Sequence, residues 1–276
     1  GETTGLEGRL LAPQIGGRDT DWDSALSLVA NKFKQTIAGH GPDSVALYVS
    51  GQLLTEDYYV ANKLMKGFIG SANIDTNSRL CMASAVAGHR RAFGTDTVPG
   101  TYEDLDQADL VVLVGSNLAW CHPVLHQRLL AAKAERGTKI VVVDPRRTAS
   151  CDGADLHLPL APGSDVALFN GLLAEIARRD AFDKSYLPHV NGLGVAVAAA
   201  ETDNPGLTGL SDAQLQAFYD LWIGTGKTVT VFSQGVNQST SGADKVNAIL
   251  NCHLATGRIG KPGCGPFSVT GQPNAM

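Results

Sequence analysis

The clearest pattern of apolar and polar positions lies between Asp109 and Arg147. An unbroken apolar run, Leu110 to Val114, stops at Gly115-Ser116-Asn117. An amphipathic stretch of helical length follows, and then a second apolar run, Lys139 to Val143, stops at Asp144-Pro145-Arg146-Arg147. Continuous apolar runs bounded by turn residues predict strands covered on both faces, the mark of a parallel sheet. A crossover helix between two parallel strands puts both strand ends at one edge, where α/β folds bind nucleotides. Asp144 falls near the place where a dinucleotide fold keeps the acid that holds a ribose hydroxyl. The complete G-x-G-x-x-G fingerprint is absent, and strand–helix–strand units also occur in folds that bind no nucleotide. On this unit alone both readings stand.

The same rhythm runs through the chain. Trp22 to His40 has helical spacing, with Leu26, Val29, Phe33 and Ile37 on one face. Val45 to Val49 predicts a short strand closed by Ser50-Gly51-Gln52, and Glu56 to Ile69 a helix. Asn73 to Cys81 reads as a loop leading into a short helix near Met82 to Gly88, and Thr95 to Thr101 as a Gly/Pro/Thr loop. Leu156 to Leu160 predicts a strand, and Val166 to Arg179 a strong helix with Ser164 or Asp165 as its N-cap. Val190 to Leu210 is mixed. Leu210 to Ile223 is helical, Val229 to Phe232 a β-branched strand, and Ser241 to Gly257 a last helix before a Gly/Pro-rich tail. Each strand ends in a small or polar turn, and four such turns suit a long, polar, phosphate-containing cofactor better than one small metabolite.

Composition narrows the classes. At 276 residues, 43% hydrophobic, 18% charged and net −5, the chain has the make-up of an ordinary soluble globular protein. No basic run points to nucleic acid, and no apolar stretch reaches the ~18–20 residues that cross a bilayer. No signal-peptide pattern opens the chain. The five cysteines (Cys81, Cys121, Cys151, Cys252, Cys264) are odd in number and form no C-x-x-C pair. That argues against a disulfide framework and a structural zinc site, and for a reducing, cytoplasmic compartment. The histidines lack ligand spacing, and no G-x-S-x-G elbow appears.

The segment Asn73-Ile74-Asp75-Thr76-Asn77-Ser78-Arg79-Leu80-Cys81-Met82-Ala83-Ser84-Ala85 resembles the molybdenum-ligand loop of assimilatory and periplasmic nitrate reductases, in the dimethyl sulfoxide reductase superfamily. Further motifs agree in order: Gly51-Gln52, Gly115-Ser116-Asn117, His122-Pro123, Asp144-Pro145-Arg146, Pro162-Gly163-Ser164-Asp165, Gly235-Val236-Asn237-Gln238 and Thr270-Gly271-Gln272-Pro273-Asn274-Ala275. The resemblance spans nearly the whole chain.

It implies an α/β fold of two Rossmann-like three-layer domains, the second and third domains of a molybdopterin oxidoreductase, one inserted in the other. The expected division is residues 1–100 with 220–276 as a discontinuous domain, and 101–219 as an inserted guanine-dinucleotide-binding domain. The implied cofactor is molybdenum held by two molybdopterin guanine dinucleotides. Cys81 would be the thiolate ligand of the metal, a soft donor suited to a metal already held by dithiolene sulfurs. Gln234 and Gln238 would line the metal pocket; from the residues alone they are equally turn residues on a solvent-facing loop. Gln52 and Asn77 would bond the pterin region. Gly115, Ser116 and Asn117 would wrap the phosphates and sugar of one dinucleotide, with Asp144 on ribose hydroxyls and Arg146 or Arg147 near phosphate. In the turn Gly163-Ser164-Asp165, Asp165 would accept from the guanine edge, against the plainer reading of a helix cap.

The implied reaction is reduction of nitrate to nitrite by oxygen-atom transfer, with electrons from a ferredoxin, a flavodoxin or an NADH-oxidising subunit. Met82 after the cysteine, where formate dehydrogenases tend to have His, favours nitrate over formate. Formate dehydrogenase is the alternative within the superfamily, and a non-catalytic relative such as the large iron–sulfur subunit of respiratory complex I lies further off. A nicotinamide-dependent dehydrogenase would need the missing fingerprint. Family members open with a four-cysteine domain holding a [4Fe–4S] cluster, which has no counterpart here, and continue past the final Met276. The expectation is therefore an internal piece of a longer enzyme, inactive alone, with exposed apolar surface where the remaining domains would dock.

Overall fold

The computed structural model describes residues 7–51, 53–77 and 80–269. The described residues divide into two compact units, one up to residue 77 and one over residues 80–269.

The first unit is built from local signals. Strands β1 (Gln14–Ile15) and β2 (Arg18–Asp19) form an antiparallel hairpin. Its turn residues Gly16 and Gly17 have positive φ, as a tight two-residue hairpin loop requires. Helix α1 (Trp22–His40) is capped by Asp21, whose carboxylate accepts from the Ser24 backbone N–H at 2.7 Å. Strand β3 (Leu47–Val49) pairs in parallel with β4 (Ile74–Thr76), and the crossover carries α2 (Thr55–Asn62). The helix predicted over Glu56 to Ile69 widens to π-type turns at Lys63–Ile69 before Gly70 ends it with φ +82°. The Asn73–Cys81 segment, read above as a loop, contains β4. Its three residues form a strand by pairing with β3, which lies far off in sequence.

The second unit is a five-stranded parallel sheet. In order across the sheet the strands are β7 (Leu156–Leu158), β6 (Lys139–Val143), β5 (Leu110–Val114), β8 (Thr228–Phe232) and β9 (Gly265–Ser268). Side-chain alternation along β5 sends Leu110, Val112 and Val114 into one core and Val111 and Leu113 into another. Helices α7 (Asp165–Arg178), α8 (Leu193–Glu201), α9 (Asp212–Gly224) and α11 (Gly242–Ala255) contribute to the first core, along with Ala85 of α3 (Ala83–Phe93). Helices α4 (Glu103–Gln107), α5 (Leu118–Cys121) and α6 (Pro123–Arg136) contribute Leu105, Leu118 and Leu129 to the second. A sheet covered on both faces is the three-layer α/β architecture that the apolar runs predict.

The units divide the chain differently from the expected boundaries. Strands β8 and β9, from the 220–276 stretch, belong to the same sheet as β5, β6 and β7, from the 101–219 stretch. The β5–β8 ladder runs from Leu110↔Thr228 to Val114↔Phe232. Adjacency in a parallel sheet follows crossover geometry, not distance along the sequence, so sequence order did not reveal this partner. Among the described residues no helix is long and apolar enough to cross a membrane.

Candidate active site

From β5 the chain winds outward through β6 to β7, then returns to the other side of β5 as β8. The winding reverses between β5 and β8, and ligands bind at such reversals, beyond the strand carboxyl ends. A cavity of about 510 Å³ opens there, within the ~300–1,000 Å³ usual for cofactor sites. Its walls come from the strand-end turns: Gly115 and Asn117 after β5, Asp144 and Arg146 after β6, Gly163 and Asp165 after β7, and Gln234 and Gln238 after β8.

The turns after β5 and β8 touch. Gly235 N–H donates to Gly115 O at 3.0 Å. A Cβ on Gly115 would lie 2.7 Å from Gly235 Cα, and one on Gly235 would lie 2.6 Å from Gly115 Cα. Gly115 also has φ +52°. Two backbones can approach this closely only without side chains.

Cys81 is partly buried, and its Sγ accepts from Gln234 Nε2 at 3.0 Å and Gln238 Nε2 at 3.2 Å. Asn237, within the four-residue helix α10 (Gln234–Asn237), holds this arrangement. Its Oδ1 accepts from Ala85 N–H at 2.9 Å, its backbone carbonyl accepts from Ser84 Oγ at 2.7 Å, and its Nδ2 donates to Ser233 O at 3.0 Å. The start of α3, just after Cys81, is thereby clamped to the turn that carries both glutamines. Ser233 Oγ in turn donates to Gln234 Oε1.

Asn117 Oδ1 accepts from Ser150 Oγ at 3.2 Å, and Ser150 Oγ accepts from Ala119 N–H at 3.1 Å. Asp144 Oδ1 accepts from Arg146 N–H at 2.9 Å, while His157 Nε2 lies 2.9 Å from Asp144 O. His122 and His126, in and before α6, are both pushed below the usual imidazole range by burial.

Not every predicted residue reaches the cavity. Ser116 is buried with an unpartnered Oγ and Arg147 pairs with Asp152 at 3.6 Å; neither lines the cavity. Ser164 takes the N-cap position of α7, but its Oγ donates to Ala161 O at 2.6 Å instead of capping. Asp165 is not the cap: its carboxylate pairs with a lysine. Asn77, in the first unit, accepts from Gly51 N–H with its Oδ1 at 2.5 Å. Gln52 lies outside the described residues.

Lys245 of α11 was missed altogether. Its Nζ lies 2.7 Å from Asp165 Oδ2, with both side chains under 10% exposed. The available signal was a charge on the buried stripe of α11, one turn before Ile249 and two before Cys252. The clamp by Asn237 was missed too. Its motif was noted, but nothing local shows what its amide would bond.

The residues present fit a metal cofactor that brings its own ligands. Among the described residues no group of three or more His, Cys, Asp or Glu could hold a metal ion.

The chain matches the molybdopterin oxidoreductase family over residues 14–275. It belongs to that family. Membership of that family implies a molybdenum–pterin cofactor. A nitrate reductase of Klebsiella oxytoca is 55% identical over 277 residues, covering 100% of this chain and 32% of that protein. One from Shewanella frigidimarina is 55% identical over 267 residues, covering 94% and 28%. A periplasmic nitrate reductase of Desulfovibrio desulfuricans is 40% identical over 302 residues, covering 98% and 40%. The chain thus spans about a third of the length of these relatives. Among solved structures, the acetylene hydratase of Pelobacter acetylenicus aligns with a TM-score of 0.60 at 24% identity, covering 87% of this chain and 33% of that one. That likeness speaks to the fold alone.

Proposed function

We propose that this molybdopterin oxidoreductase chain serves a nitrate reductase, reducing nitrate to nitrite by oxygen-atom transfer, with molybdenum bound as the bis(molybdopterin guanine dinucleotide) form. The observation that carries the reading is Cys81 Sγ held by the two glutamine amides beside the strand-end cavity. The 55% identity to two proteins described as nitrate reductases supports the substrate. When bound, the cofactor supplies the two-electron chemistry that takes an oxygen atom from nitrate.

The protein's part is binding and orientation. Cys81 would be the protein's ligand to the metal, and the two amides donate to its sulfur. Gln234 and Gln238 fix where that sulfur points. Gly115 and Gly235 let a phosphate-bearing ligand approach the backbone. Asp144 would hold ribose hydroxyls, Arg146 would face phosphate, and Asp165 would accept from guanine. Gly163 leaves the β7 turn without a side chain beside Asp165. Ser116, Ser164, Arg147, Asn77 and Gln52 would serve the cofactor only through contacts beyond those described above. Electrons would come from a ferredoxin, a flavodoxin or an NADH-oxidising subunit, and the free cysteines suit a cytoplasmic enzyme.

The test is Cys81→Ala in the whole protein, assayed with nitrate and with formate against a viologen dye, with molybdenum measured alongside. Loss of nitrate turnover, at least a thousandfold, is expected. Wild-type nitrate turnover in the variant would remove the ligand assignment. Formate oxidation without nitrate reduction by the unmodified protein would overturn the substrate.

A further inference from the structure

Lys245 lines the cavity and is 4% exposed at its side chain. A buried ammonium persists only when paired and hydrogen-bonded. Here Nζ forms an ion pair with Asp165 Oδ2 at 2.7 Å and donates to Gly235 O at 3.4 Å. An ammonium has three donors, and these partners use two directions. Asp165 lines the same cavity. The cavity wall therefore offers a cationic donor and a carboxylate acceptor side by side, contributed by α11 and by the start of α7.

That order of groups selects among purines. Guanine presents a carbonyl acceptor at O6 next to donors at N1 and the exocyclic amine. Adenine presents the reverse, an amino donor at N6 next to an acceptor at N1. A carboxylate alone discriminates weakly, because the adenine amino group can also satisfy it. A fixed donor beside the carboxylate removes that option, since it opposes the adenine amino group and leaves buried polar groups unpaired.

We infer that Lys245 is a specificity-determining residue for the cofactor's base, donating to O6 of a guanine whose N1–H and amine are accepted by Asp165. This rests on the proposal above that a guanine nucleotide lies in this cavity. With ribose and phosphates engaged at Gly115 and Asp144–Arg146, the base cannot turn over to exchange the two contacts.

The experiment is calorimetric titration of the chain with GDP, IDP and ADP. Hypoxanthine keeps O6 and N1–H but lacks the amine, so IDP isolates the lysine contact. The expected order is GDP, then IDP, then ADP, with at least tenfold between GDP and ADP. In Lys245→Met, GDP and IDP should each weaken at least tenfold while ADP stays unchanged. Lys245→Gln, which keeps a neutral donor, should restore part of the IDP-to-ADP gap. Affinity ratios from one preparation are independent of any loss of folded protein.

A uniform weakening of all three nucleotides in Lys245→Met, or an unchanged GDP-to-ADP ratio, would reduce Lys245 to a structural tie and overturn the inference. Asp165→Ala separates the two levels. If its selectivity collapses while that of Lys245→Met survives, only the lysine assignment falls. If the unmodified chain binds no nucleotide, or binds GDP and ADP alike, the guanine reading falls and takes this inference with it.

Discussion

Strands β5 and β8 are buried along their whole length, and Trp222, Phe169 and Phe218 lie fully inside the 80–269 unit. Helix α1, in the other unit, has no buried residue at all. Its predicted apolar face is only partly covered: Leu26 is 59% and Val29 51% exposed, while Phe33 and Ile37 are half-buried. Both regions contain well-specified elements, and the difference lies in what holds them. In the larger unit, helices pack on both faces of a sheet, and burial stabilises each large apolar side chain by roughly 1.5–3 kcal/mol. In the smaller unit, a side-chain cap, left-handed glycines and a three-residue ladder hold elements that bury little. Sequence periodicity reports the face an element offers; it does not report whether anything covers that face.

The sharpest way to break this contrast is a truncation in each unit. Trp222→Ala removes the largest fully buried side chain and should cost about 3–5 kcal/mol in urea unfolding. A cost under 1 kcal/mol would mean that the larger unit is not the stabilising core. Gly115→Ala should follow at about 2–3 kcal/mol, since it combines a positive φ with a clash against Gly235. It should also weaken GDP binding, and unchanged binding would separate the glycine contact from the cavity.

The third test uses pH. Glu175 of α7 accepts charged hydrogen bonds from Arg178 and Arg179, which hold its carboxyl down at about 2 from the usual 4.5. The stabilisation is therefore complete above 4.5 and is lost as pH falls toward 2. Glu175→Gln should cost about 1 kcal/mol at neutral pH and flatten the stability profile across that window. An unchanged acid limb would show that the ion pairs contribute nothing.

Smaller still is Asp21→Ala, which removes the cap of α1. Faster hydrogen exchange confined to α1, with the main unfolding transition unmoved, is the expected signature. A shifted main transition would mean that the two units unfold together. Leu26→Ala, at an exposed site, should move global stability by no more than ~0.5 kcal/mol.

Much of the sheet was legible. LVVLV, KIVVV and TVTVF are uninterrupted apolar or β-branched runs, and each became a buried strand. Strand β9 was not legible, because Gly265-Pro266-Phe267-Ser268 lies in the Gly/Pro-rich tail. It forms as an edge strand, where proline is tolerated because one side of the ladder is open. At the site, residues in strand-end turns could be nominated, since turn chemistry is local. The Lys245–Asp165 pair could not, because the α11 lysine and the α7 carboxylate meet only after both helices pack.

The contact between Gly115 and Gly235 also has a genetic consequence. Most damaging substitutions in a packed interior can be relieved by shrinking a neighbour. Here each neighbour is already the smallest residue, and the clash is with backbone atoms. A suppressor screen started from Gly115→Ala should therefore return true revertants, or changes that displace a whole turn, and no compensating substitution at position 235.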